Sequence, residues 1–204
     1  MKRSGPNIVF RDLLLGLIGI LVMVVFIVLL QVSPAKKANE GITPPGNVTV
    51  FITWPAGDTD IDLWVTGPGE PYPVGYSNKG GVLWNLLRDD LGAFPDLSGI
   101  NMESSYSRGA PAGEYIVNLH CFRCSVLPQK VNVEVSSSKA IEGAAKGTVT
   151  LATATVELKA NGQERTAIRF TLDGKGDLVP GSINSVFREL RAAGKQPPQE
   201  GFGQ

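Results

Sequence analysis

Residues 13–30 read LLLGLIGILVMVVFIVLL, an unbroken apolar run interrupted only by Gly16 and Gly19. With Gln31 and Val32 the run makes about 30 Å of helix, the thickness of a bilayer's hydrocarbon core. It predicts a transmembrane helix over 13–32. A cleaved signal peptide would have a shorter apolar core and a small-residue cleavage site, which Ser33-Pro34-Ala35 imitates poorly. No Cys follows the run to carry a lipid. Lys2, Arg3 and Arg11 precede it and Lys36 and Lys37 follow it, and so short a leading tail is most easily left in the cytoplasm. The expected topology is a cytoplasmic tail over 1–12 and everything from about residue 33 outside. In a Gram-negative cell this means an inner-membrane protein with a periplasmic domain.

The rest of the 204-residue chain is long enough for one sizeable core and not for two. The whole chain's 19 basic residues match its 19 acidic ones, which argues against nucleic acid as a partner. Gly 24 and Pro 14 with few aromatics suit a β-domain rich in turns.

Residues 33–47 are polar and Pro-rich and read as a stalk. Val48, Val50, Ile52 and Trp54 alternate as one face of a strand, and residues 61–66 form another. Short strands are expected around 74–77 and 82–87, separated by the turn Asn78-Lys79-Gly80-Gly81. Residues 89–112 are polar and rich in Gly, Ser and Pro, and read as a long functional or mobile loop. Strands resume with Tyr115, Val117, Leu119 and Cys121 on one face, then Val131, Val133 and Val135. Asn161-Gly162 between residues 148–160 and 163–172 predicts a hairpin with a two-residue turn. Its buried face would hold Val156, Leu158, Ile168, Phe170 and Leu172. Pro180-Gly181-Ser182 followed by Ile183, Val186, Phe187 and Leu190 predicts a short C-terminal helix, and residues 194–204 a disordered tail. The expected fold is mainly β, an antiparallel β-sandwich over 48–193, immunoglobulin-like or jelly-roll.

Few residue patterns carry chemistry. Asp58, Asp60 and Asp62 stand at alternate positions, and with Asp89, Asp90 and Asn78 they offer a weak calcium reading, since Ca²⁺ takes six to eight oxygens. The simpler reading makes Asp60 and Asp62 the outward positions of a strand. Cys121 and Cys124 form a Cys-x-x-Cys at a strand end, away from the helix N-terminus that thioredoxin-type chemistry needs. In an oxidising compartment they are expected to pair as a structural disulfide, with a reduced buried pair the alternative. His120, opposite Cys121, is expected at the surface or facing a partner. It is the single His of the chain, so a zinc site is hard to assemble and a Ser-His triad has nothing to place a Ser beside it. No enzymatic activity and no required cofactor are expected. Asp12 is the most informative charge. Ile8, Val9 and Phe10 allow the helix to start before it, and an ionisable group at membrane depth is a functional hypothesis by default. At the headgroup boundary it would instead favour the helix dipole. Gly16 and Gly19 would let another helix approach closely.

Two resemblances bear on function. Pro6-Asn7-Ile8-Val9-Phe10-Arg11-Asp12-Leu13-Leu14-Leu15 resembles the start of the B-type subunits of ion-driven stator complexes (the ExbD, TolR and MotB group). These have a short cytoplasmic tail, one helix with an Asp near its cytoplasmic end, and a periplasmic domain. The resemblance implies that Asp12 carries the coupling proton or sodium ion; Arg11 stands where those proteins have an apolar neighbour. The outer part is similar to uncharacterised bacterial secreted β-sandwich domains. The matching blocks are Asp60-Ile61-Asp62-Leu63-Trp64-Val65, Gly75-Tyr76-Ser77-Asn78-Lys79, Arg88-Asp89-Asp90-x-Gly92 and Ala110-Pro111-Ala112-Gly113-Glu114-Tyr115. That family implies a fold and an extracytoplasmic address. The resulting expectation is a single-pass accessory subunit, the ion-coupled partner of a multi-span channel-type subunit, docking outside on an envelope protein as a homo- or hetero-oligomer. The alternative is a plain anchored binding or assembly module in which Asp12 couples nothing.

Overall fold

The computed structural model describes residues 5–31, 47–92, 99–139 and 147–192. The expected stalk, apart from Asn47, and the expected tail lie outside the described residues. The chain divides into two compact units, Met1–Gly41 and Ile42–Gln204.

In the first unit a single helix, α1, runs from Gly5 to Gln31 over 27 residues. It starts earlier than the span expected from hydropathy, because Pro6 and the apolar residues 8–10 extend it back through the presumed tail. Every described side chain from Val9 to Phe26 is exposed, and apolar residues occupy its whole circumference rather than one stripe. A helix apolar all round needs a core or a membrane to bury it.

The second unit contains eight strands among the described residues: β1 Val48–Trp54, β2 Asp60–Thr66, β3 Trp84–Arg88, β4 Asn101–Ser107, β5 Gly113–Arg123, β6 Gln129–Lys139, β7 Gly147–Leu158 and β8 Glu164–Leu172. They make two antiparallel sheets, one ordered β3-β4-β1-β6-β7 and the other β2-β5-β8. One apolar core joins them. The alternating residues of β1 (Val48, Val50, Ile52, Trp54), β5 (Tyr115, Val117, Leu119, Cys121) and β6 (Val131, Val133, Val135) meet there, as their period demands. Tyr115 is the hinge of this core. Its ring stacks on Phe170 at 5.0 Å and meets Trp84 edge-on at 6.2 Å, while its hydroxyl donates to Pro111 O at 2.7 Å. Gly113 makes the start of β5 possible: its φ is +138°, and a Cβ there would stand 2.7 Å from Pro68.

Four sequence expectations are corrected. The segment read as a long loop contains β4, which lies between β1 and β3. Its residues opposite Val50, Ile52 and Trp54 are Ser105, Glu103 and Asn101, so its inward face is polar and shows no apolar period. The expected hairpin does not form, because β7 pairs with β6 and β8 with β5, in different sheets. The Asn161-Gly162 turn is genuine, with Gly162 at φ +78°. It is captured by β5: Gly162 N donates to Cys121 O and Cys124 N donates to Asn161 Oδ1. The predicted buried face survives, since Val156, Leu158, Ile168, Phe170 and Leu172 all enter the core, but from both sheets. The expected strands near 74 and 82 shrink to bridges at Val74 and Gly75 and to β3 itself.

The predicted C-terminal helix is absent as well. Residues 178–191 run as an irregular strap along the outer edge of β8, where Asn184 and Arg169 exchange backbone hydrogen bonds of 2.7 and 2.9 Å. Side chains of β8 then capture the following amides. Arg188 N donates to Thr166 Oγ1, and Leu190 N and Arg191 N donate to Glu164 Oε1. Ile183, Val186 and Phe187 point to solvent, and only Leu190 is buried. Amides bonded to a neighbouring strand cannot also close helical turns.

Candidate functional site

The three-stranded sheet has a second face, turned away from the main core, and it is unusually polar for its burial. β2 contributes Asp60, Asp62 and Trp64; β5 contributes Ile116, Asn118 and His120; β8 contributes Glu164 and Thr166. Asp60, Asp62, Asn118, His120 and Thr166 are all at most 4% exposed. Two covers bury them. One is the strap, whose Leu190 packs on Trp64 and Ile116. The other is the turn carrying Tyr76, whose ring meets Trp64 edge-on at 5.5 Å and Phe122 at 6.3 Å.

The chemical centre of this layer is a cross-strand pair. Asp62 and His120 stand opposite each other in register, and His120 Nδ1 lies 2.6 Å from Asp62 Oδ2. Burial pushes the Asp62 carboxyl up, and the His120 hydrogen bond and charge pull it back. The other ring nitrogen, Nε2, is buried and has no hydrogen-bond partner. Beside this pair, Asn118 Nδ2 donates to Glu164 Oε1 at 2.6 Å and to Arg188 O at 2.7 Å, tying the sheet to the strap. His120 is therefore not the surface residue that its strand position suggested; the strap covers the face it occupies.

Asp60 sits at the edge of the layer, where the register of β2 against β5 slips. Its Oδ1 is buried and unpartnered. Burial, with Asp62, Asp89 and Asp90 nearby, pushes its carboxyl up to about 6, against the pull of Arg123. Glu103, reaching across from β4, is more extreme. Its Oε2 accepts from Leu63 N at 2.7 Å and its Oε1 from Asp90 N at 3.2 Å, closing the open edge of β2, and burial pushes it well above the usual carboxylate range. The sequence offered no signal for Glu103, because it lay inside a presumed loop.

The acidic residues singled out in the sequence are near one another but do not share one point. Asp58 is exposed and bonds Arg123 at 2.9 Å. Asp89 pairs with Lys79 at 2.8 Å. Asp90 accepts from Arg88, Met102 N and Gly92 N. Asn78 donates to Pro73 O. Among the described residues no three His, Cys, Asp or Glu side chains are arranged to hold a metal ion. Cys121 and Cys124 form the expected disulfide, with S–S 2.01 Å. Asp12 lies on α1, exposed, with Arg11 at 3.6 Å. Gly16 and Gly19 have open space around them within the chain.

The raised Asp60 makes a pH prediction. Its proton leaves near 3.8 in the unfolded chain and near 6 in the folded one. Ionisation therefore opposes folding as pH rises through that window. Asp60→Asn cannot ionise, so its melting temperature relative to wild type should climb from about pH 4 to about pH 6 and level off above. A difference that stays flat across a pH series would show that Asp60 titrates normally.

Three of the four sequence blocks meet around this layer: the β2 block supplies Asp60, Asp62 and Trp64, the second block Tyr76 and Lys79, and the third Asp89 and Asp90. The arrangement is a buried, hydrogen-bonded clamp between a sheet, a turn and a strap. Among the described residues no hydroxyl or thiol is hydrogen-bonded to His120 Nε2, the atom from which a base would act. No protein-family profile, curated protein or solved structure matches this chain.

Proposed function

We propose that this protein is a single-pass membrane-anchored accessory subunit, with its N-terminus in the cytoplasm and a non-enzymatic β-sandwich outside that docks on an envelope partner. The observation that carries this reading is α1, whose 18-residue stretch Val9–Phe26 is long enough to cross a membrane and apolar but for Arg11 and Asp12. Such a helix is stable in lipid or against other membrane helices and costly in water.

The finer reading makes it the ion-coupled B-type partner of a multi-span channel subunit, with Asp12 as the carrier. One feature favours this over a dipole-capping role. Because α1 begins at Gly5, its first turn contains no acidic residue, and Asp12 stands about 10 Å into the helix at 1.5 Å per residue. The dipole effect fades within the first turn. Gly16 and Gly19 follow at one and two turns, on partly overlapping faces, where small residues admit a neighbouring helix.

The test is complementation of a strain lacking the protein, with a periplasm-dependent reporter fused after Gln204. Asp12→Asn should abolish complementation while abundance, membrane fractionation and reporter activity stay at wild-type levels. Asn keeps the size and hydrogen bonding of Asp but cannot cycle a proton. Full complementation by Asp12→Asn would leave the plain anchored module, and an inactive reporter on wild-type protein would remove the topology.

A further inference from the structure

The two sheets have four edges, and three are closed by the chain itself. The turn through Lys79 and Gly81 folds back on β3, with Leu86 N donating to Lys79 O and Gly81 N to Trp84 O. β2 is closed by Val74 and Glu103, and β8 by the strap. The outer edge of β7 is different. From Thr148 to Val156 its backbone makes no hydrogen bond to any described residue other than its β6 partner.

An unpaired row of backbone donors and acceptors templates another strand, and proteins usually blunt such edges with Lys, Pro or a short strand. Here residues 148–156 read TVTLATATV, without charge, Pro or Gly. A bulge near Leu151 interrupts the edge, leaving Ala152–Val156 as a regular open run of ordinary strand length; beyond it Glu157 O accepts from Arg165 Nη1 at 3.0 Å. The core is also unfinished along this flank. Val149 pairs with Ser137 on the core side of the sheet yet is 39% exposed, and Leu151 is only partly covered.

We propose that the β7 edge is an interface for a second copy of this chain, which pairs antiparallel through its own β7 and continues the five-stranded sheet across a two-fold axis. Two observations favour a like partner over a foreign strand. An uncharged strand paired antiparallel with itself brings no like charges together near the axis, so self-pairing meets no electrostatic penalty. Anchoring by α1, which rests on the membrane reading above, confines both copies to one surface and raises their effective concentration.

The experiment uses full-length protein in mild detergent, with sedimentation equilibrium read across a concentration series. Wild type should be dimeric. Thr153 and Thr155 are exposed and on the solvent side of the sheet, so Thr153→Lys with Thr155→Lys should keep the wild-type melting temperature and weaken dimerisation at least tenfold. Thr153→Glu with Thr155→Glu should weaken dimerisation equally, with a slightly lower melting temperature because position 153 lies opposite Glu134. Mixing the two variants should restore a heterodimer, because antiparallel pairing sets Lys against Glu. Loss of amide-exchange protection in residues 152–156 should accompany each monomeric state. Wild type that is monomeric at all concentrations overturns the proposal. So does a dimer that survives in both charge variants, which would assign association to α1, or a mixture that fails to recombine. None of these outcomes depends on Asp12.

Discussion

His120→Ala is expected to destabilise the β-domain by about 3–5 kcal/mol, the usual cost of leaving a buried carboxylate without its partner. Asp62 and His120 are 4% and 2% exposed, and their contact of 2.6 Å joins adjacent strands under the strap. Truncating His120 leaves the Asp62 carboxylate buried without its largest compensating partner. The carboxyl is already pushed up by burial, and the hydrogen bond from His120 opposes that push. Without it Asp62 would hold its proton to higher pH. The penalty should therefore be greatest at neutral and alkaline pH, and shrink in acid where Asp62 is neutral in both folded and unfolded chains. The double variant His120→Ala with Asp62→Ala should lose less than the two single losses summed, because the second truncation removes the stranded charge. Urea unfolding of the full chain reads this cleanly. All three tryptophans, Trp54, Trp64 and Trp84, lie in the second unit, so their fluorescence reports that unit alone. Additive losses, or a pH-independent penalty, would show that the pair is not electrostatically coupled.

This pair also marks where reading the sequence stops. Asp62 and His120 are 58 residues apart, and no local pattern joins them; only the register of β2 against β5 does. Strands whose inward residues are apolar were legible from period alone, as with Val48 to Trp54, Tyr115 to Cys121 and Val131 to Val135. β4 was not, because Asn101, Glu103, Ser105 and Ser107 face inward there. Three of those four side chains serve backbone groups: Asn101 reaches Pro55 O and Gly57 O, Glu103 accepts from Leu63 N, and Ser107 Oγ accepts from Val48 N, while Ser105 Oγ is buried without a partner. A polar inward face is stable only where such partners exist, and the partners come from distant segments. The Asn161-Gly162 turn shows a different gap. Turn chemistry is local and fixed the chain reversal, yet whether the flanking strands pair with each other depends on which sheet has room. The helical spacing of Ile183, Val186, Phe187 and Leu190 was a coincidence of composition, overruled by Glu164, Thr166 and Arg169 binding the strap.

Trp64→Ala is the second large expected loss, about 3–5 kcal/mol, as for other fully buried aromatic truncations. Trp64 is 0% exposed, yet it lies outside the main core, in a small cluster with Ile116, Leu190 and Tyr76. It touches sheet, strap and turn together through Ile116, Leu190 and Tyr76. Its loss should therefore loosen both covers of the polar layer, and amide exchange should rise over residues 74–78 and 186–191 more than over β1 or β6. Gly75 supplies the internal check. A Cβ at Gly75 would stand 2.5–2.8 Å from three ring atoms of Trp64, closer than packed carbons tolerate. In wild type Gly75→Ala should thus cost about 1–3 kcal/mol through overpacking. The ring cannot retreat, because the Gly75 backbone is held to Asn78 by two hydrogen bonds of 3.0 and 3.1 Å, and the indole is buried on its other sides. With Trp64→Ala already in place the added methyl meets a cavity instead of a ring, so Gly75→Ala should become nearly silent or mildly favourable. Urea unfolding followed through Trp54 and Trp84 measures both steps. A Gly75→Ala penalty that persists at full size without the indole would place the strain in the backbone of the turn rather than against Trp64.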